Sequence, residues 1–252
     1  GLPPHGVATP AEATLARPTS PAAFLHLWAP HRLAWWIAVL FAVGSTHFLV
    51  GALAATWPDA APAALRDPGT LGLVFFIGSI FFTAAAWLQW LEALNGDVAT
   101  ALEEAPRRWR WFGWRPRNLG YLACAVQLLG PILFNFNTAD AMLPGLSWRQ
   151  QDLLIWTPNM LGSICFLVAS YLAYTEVSHG GASFAPRSVS WWIAVVNLAG
   201  SVAFQLSALN SFVGPTPSSA ELLFWSTLWT AAGALCFLGG ADLLIPVLSD
   251  TE

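Results

Sequence analysis

Few side chains in this chain could do chemistry, and most of those lie inside long apolar runs. Gln127 and Asn197 each stand three residues before a glycine (Gly130, Gly200), and Asn135 and Gln205 each stand five residues after the same glycines. A side-chain amide offers both donors and an acceptor, which leaves two readings open. The four line a shared polar cavity in the outer half of a helix bundle, or they bond helix to helix at about 0.6–2 kcal/mol each. His47, three residues past Gly44, reads either as a hydrogen-bonded packing residue or as a proton relay. A bis-histidine haem would need a second histidine at depth, and the runs hold none. Asp242, with Leu243-Leu244-Ile245 still to follow, is the costliest carboxylate by position and is expected to face the interior. Glu92 and Glu176, each fourteen residues past a glycine, form with His179 a candidate acidic vestibule at the inner end. The plainer reading of those three is solvated helix ends.

Several chemistries are excluded by residue type. All ten basic residues are arginine. Without lysine there is no Schiff base for retinal or pyridoxal phosphate and no Walker A loop. Cys124, Cys165 and Cys236 lie in apolar runs with no C-x-x-C spacing, so they read as small buried hydrophobes. No H-x-x-x-H, G-x-S-x-G or acidic metal pattern occurs. We expect no enzyme, no cofactor and no metal site.

The elements that must hold these residues follow from composition. Of 252 residues, 56% are hydrophobic and 10% charged, against roughly 25% charged in an ordinary soluble domain. Apolar runs of about 20 residues suffice to cross a hydrocarbon core about 30 Å thick. Backbone groups in hydrocarbon need internal partners, so such runs are helices. The expected fold is all-α: a polytopic membrane protein with six transmembrane helices arranged as three antiparallel hairpins. A flexible tail and surface segment at 1–32 precede a first hairpin at 33–94. An inner Arg/Trp-rich loop at 95–117 leads to a second hairpin at 118–176. An inner loop at 177–187, a third hairpin at 188–247 and a short tail at 248–252 complete the chain.

Arginine placement sets the orientation. With both termini inside, eight arginines fall on inner segments and only Arg66 and Arg149 on outer loops. Within the large inner loop, residues 97–105 read as a short helix ended by Pro106. After it, Arg107, Arg108, Arg110, Arg115 and Arg117 interleave with Trp109, Trp111, Phe112 and Trp114. That mixture suits an anionic membrane surface, at about 1 kcal/mol per charge. It reads as a lipid anchor; a docking surface for a protein partner or a second copy is the alternative, and nucleic acid is not expected.

An internal repeat orders the apolar runs. Gly44, Gly130 and Gly200 align in the outgoing helices, with Phe48, Phe134 and Phe204 four residues later. Gly78, Gly162 and Gly233 align in the returning helices, with Phe82, Phe166 and Phe237 four residues on. Lipid gives apolar helices little reason to associate, so close approach at small residues supplies the attraction. The six glycines are therefore expected at helix crossings near mid-depth.

Asn197-x-x-Gly200-Ser201-x-x-Phe204, then Trp225 and Gly233-x-x-x-Phe237, resembles the YrhK-like membrane hairpin domain. The likeness is clearest over 188–247. Pro131 replaces the serine in the second hairpin, and Phe41 replaces the asparagine in the first. The resemblance implies a hairpin fold and lends no catalytic residue; together with the arginine bias, which puts both termini on the cytoplasmic side, it suggests a bacterial cytoplasmic membrane. The expected function is a non-catalytic scaffold, accessory or lipid-binding module. A small-solute or ion pathway is the alternative, and convergence of the polar residues on one cavity would favour it.

Overall fold

A computed structural model describes residues 28–100, 109–178, 184–216 and 218–247. The described residues are helical, with no strand, and six helices are long and apolar enough to cross a membrane. They are α1 (Leu33–Thr56), α2 (Pro68–Thr100), α3 (Leu119–Asp140), α4 (Trp148–Val177), α5 (Val189–Asn210) and α6 (Ala220–Val247). The expected short helix at 97–105 does not begin anew, because α2 runs on through Thr100; residues 101–108 lie outside the described residues.

Local sequence explains where the helices start. Asn118 and Ser188 accept from the backbone N–H three residues on and cap α3 and α5. Ser147 and Gln150 form a reciprocal capping box at α4. Asp67 caps α2, followed by Pro68 at the first helical position. Within α4, residues Asp152–Trp156 take a π turn. Pro158 follows directly and cannot donate to the carbonyl four residues back, so a widened turn at this point relieves the clash.

Each helix packs on its neighbours in chain order, and α6 packs back on α1, which closes a ring of six. Within α1–α2, Phe41 meets Phe82 and Phe48 meets Phe75, the register of an antiparallel pair. The outer surface is apolar, with Ile80, Leu129, Phe136, Leu161, Leu209 and Leu235 exposed. Polar water would penalise such a belt.

Glycines bring the paired helices together. A Cβ placed on Gly44 would lie 3.0 Å from the Gly78 carbonyl oxygen, and one on Gly78 would lie 3.2 Å from that of Gly44. The same reciprocal approach joins Gly130 with Gly162 (3.2 and 3.1 Å) and Gly200 with Gly233 (3.1 and 3.0 Å). Each glycine lies beneath the phenylalanine of the opposite helix, four residues past that helix's own glycine.

Candidate functional site

The six phenylalanines meet on the axis of the ring. Phe48, Phe134 and Phe204 form one triangle, with ring centroids 6.0–6.2 Å apart. Phe82, Phe166 and Phe237 form a second, at 5.4–6.1 Å. Within each helix pair the two rings stand 5.3–5.4 Å apart, so the triangles stack. All six side chains are at most 5% exposed. Sequence reasoning expected them to fill space beside the crossings; the closed ring turns that space into one apolar plug.

Each end of the plug carries a cavity. The end at which α1, α3 and α5 begin, here the arginine end, holds a cavity of about 260 Å³ bounded below by Phe237. Phe41, Gln127 and Asn197 line it, each three residues before its helix's crossing glycine. Gln89, Ala173 and Leu244 line it from the returning helices, each eleven residues past its glycine. The far-end cavity, of about 170 Å³, rests on Phe48, Phe134 and Phe204.

The predicted polar residues therefore divide. Gln127 and Asn197 do converge, but on the arginine-end cavity and not in the outer half. Asn135 and Gln205 line neither cavity. The Asn135 amide meets Thr83 at 2.9 Å, and with its N and O exchanged it donates to Ser79 at 2.8 Å. Ser163 donates to Gln205 Oε1 at 3.2 Å. Ser79 and Ser163 each follow a crossing glycine, so both amides bond across the seam to the preceding helix.

One further expectation is corrected, and two that were left open fit their plainer reading. Asp242 is exposed on the outside of α6 and not in the interior. Nine residues past Gly233 is about two and a half turns, which places it on the opposite face of the helix. His47 is half-buried at the α1–α2 seam and off the axis. Its Nδ1–H donates to the Val43 carbonyl at 2.8 Å, and its ring lies 5.7 Å from Phe81. Glu92 and Glu176 stand at exposed positions, the plainer of their two readings, and neither lines the arginine-end cavity. The Glu176 carboxylate instead lies against Gly120, where a Cβ would come within 2.7 Å of it. His179 lies outside the described residues. Among those residues no three His, Cys, Asp or Glu side chains gather as a metal set.

The Arg/Trp-rich segment is held by Asn95, which is buried. Its side chain accepts from the Arg110 N–H at 2.9 Å and donates to the Arg110 carbonyl at 3.0 Å. Trp111 stacks on Trp87 at 6.4 Å, and the two share an apolar groove with Leu33, Leu88, Leu91 and Trp109. Arg110, Arg115 and Arg117 line a shallow basin. Trp109, Trp111 and Trp114 are exposed. Arg107 and Arg108 lie outside the described residues.

Sequence reasoning missed Gln89, and it missed an aromatic cap at the arginine end. Trp28 packs on Trp35, Trp114 on Tyr121 and Phe184 on Trp191, each edge to face at 5.0–6.2 Å and seven residues apart. Pro30, Pro116 and Pro186 follow two residues behind the first ring of each pair. The Trp36 and Trp192 indoles donate to the carbonyls of Pro30 and Pro186 at 3.0 and 2.9 Å. The aromatic-x-Pro spacing was the available signal.

Comparison with protein-family models, with curated proteins and with solved structures finds no match.

Proposed function

We propose that this chain is a non-catalytic integral membrane module of the YrhK-like type, built from three related hairpins closed into a ring, and that it binds rather than conducts. The observation that carries the reading is the double layer of phenylalanines, which leaves no open route along the axis. Support for the repeat comes from the three reciprocal glycine approaches and the matching aromatic pairs ahead of α1, α3 and α5. The apolar outer belt and the gathering of arginine at one end favour insertion in a bacterial cytoplasmic membrane with both termini cytoplasmic. The Trp-lined groove beside the Arg110, Arg115 and Arg117 basin fits an anionic phospholipid, with acyl chain against tryptophan and phosphate against guanidinium.

A gated pathway is the second reading, and the pairing of cavities on both sides of one plug favours it. Reconstitution in phosphatidylglycerol-containing liposomes separates the two. The module reading expects ion and small-solute flux equal to that of empty vesicles, with phosphatidylglycerol retained through purification. Replacing Arg110, Arg115 and Arg117 with Gln should reduce that retention. Wild-type flux above background that is blocked by enlarging the plug at Ala234 would overturn the module in favour of the pathway.

A further inference from the structure

The two cavities differ in how their polar groups are satisfied. At the far end, Asn159 donates to Ser211 at 3.2 Å, Asn137 donates to the Ile155 carbonyl at 2.8 Å, and Ser207 bonds Thr230 at 2.7 Å. That cavity has spent its hydrogen bonds on itself. At the arginine end, Gln89 Oε1 and Asn197 Oδ1 are buried and have no partner among the described residues. Both amides line the same cavity, with Gln127 beside them. A buried carbonyl oxygen left without a donor is costly; these two belong to side chains that border one space, and a turn of either amide about its terminal torsion would present its oxygen to a donor held there.

We propose that the arginine-end cavity is a binding site for a small, uncharged molecule that carries O–H or N–H donors on a largely apolar frame. Its charge follows from the lining, which among the described residues contains no Asp, Glu, Arg or His. A cation would exchange its hydration for two amide oxygens and no carboxylate, and an anion would meet no positive group. The apolar frame follows from Ile37, Phe41, Ile193, Ala194 and Phe237 around the amides. At about 260 Å³ the space is smaller than the roughly 300–1,000 Å³ of drug-sized sites, so the ligand is compact. Ser190 lines the cavity and is exposed, so the space reaches the surface at the arginine end. Gly240 completes the cradle, because a Cβ there would collide with Asn197 Oδ1. The site deepens the binding-module reading and rests on its closed axis.

Saturation-transfer NMR on the full chain in lipid nanodiscs tests it, with empty nanodiscs subtracted and benzyl alcohol and toluene as matched probes. Benzyl alcohol should receive more transfer than toluene, which has no donor. Asn197→Leu and Gln89→Leu should each weaken benzyl alcohol about tenfold, the loss of one hydrogen bond, and leave toluene unchanged. Ala173→Phe, which fills the space without altering an amide, should abolish both. Benzyl alcohol transfer no greater than that of toluene, or no greater than in empty discs, overturns the proposal and leaves a cavity that holds water only. That wild-type comparison decides even where a substituted chain does not fold. A chain that shows no solute flux yet binds no benzyl alcohol would remove this site and leave the closed-axis reading standing, whereas flux would remove that reading itself.

Discussion

Gly200 and Gly233 face each other so closely that a Cβ on either would lie 3.0–3.1 Å from the other's carbonyl oxygen. The backbones of α5 and α6 thus touch without side chains between them, and Phe204 and Phe237 close over the contact, one from each helix. Gly44 with Gly78 and Gly130 with Gly162 repeat the arrangement. Such contacts supply dispersion and weak Cα–H···O attraction that helices in lipid cannot obtain from hydrophobicity.

Adding a methyl group at such a crossing overpacks it. Gly200→Ala and Gly233→Ala should each cost about 1–3 kcal/mol. The double variant should lose less than the sum, because one displacement relieves both clashes. Thermal unfolding in detergent reads the effect. Gly96→Ala is the control: nothing lies within 4 Å of a Cβ there, and helix propensity favours alanine.

Asn95 ties the Arg/Trp-rich segment to α2 through both backbone groups of Arg110. Asn95→Ala leaves those groups and the Leu91 carbonyl without their side-chain partner, at about 1–3 kcal/mol. Release of the segment should speed trypsin cleavage after Arg110 and Arg117, with the helical content of the bundle unchanged. Cleavage at the wild-type rate would show that Trp111 on Trp87 holds the segment alone.

The seam between α2 and α3 carries a testable bond. A double-mutant cycle on Asn135→Leu and Ser79→Ala should give a coupling of about 0.6–2 kcal/mol. Zero coupling would place the Asn135 amide on Thr83 only, the orientation in which it donates at 2.9 Å.

Asp67 gives a pH dependence outside the spans. The N–H and hydroxyl of Thr70 reach its carboxylate at 2.8 and 2.9 Å and hold its pKa below the ordinary 3.8. A carboxyl with a lower pKa folded than unfolded stabilises the fold above its unfolded pKa and loses that as pH falls through the folded value. Asp67→Ala should therefore lower Tm at pH 7. The gap to wild type should narrow as pH falls below about 3.8. A constant gap would assign the effect to helix-start geometry instead of charge.

Helix periodicity and composition made much of this legible in advance. The long apolar runs marked the six helices, with α1 beginning at Leu33, where the first hairpin was expected to begin. Spacing between glycine and phenylalanine located the close approaches, because the two helices of a short-looped pair must lie side by side. Asp242 was misplaced although its phase was readable, since nine residues from Gly233 already points it away from the crossing face. At this position the 3.6-residue period outweighs the cost of exposing the residue's helix face to lipid or burying its carboxylate.

By itself the sequence determined which residues share a depth and which share a helix face, since both are local properties of a regular helix. Only the tertiary structure decided which face looks inward, because that depends on how three helix pairs close on one another. Ring closure gathered Phe48, Phe82, Phe134, Phe166, Phe204 and Phe237 on one axis. The same closure turned Gln89, Gln127 and Asn197 into a common cavity and left Asn135 and Gln205 at seams. Identical amides a few residues apart thus acquired different roles, because a shift of eight positions along a helix changes both its angle and the neighbour it meets.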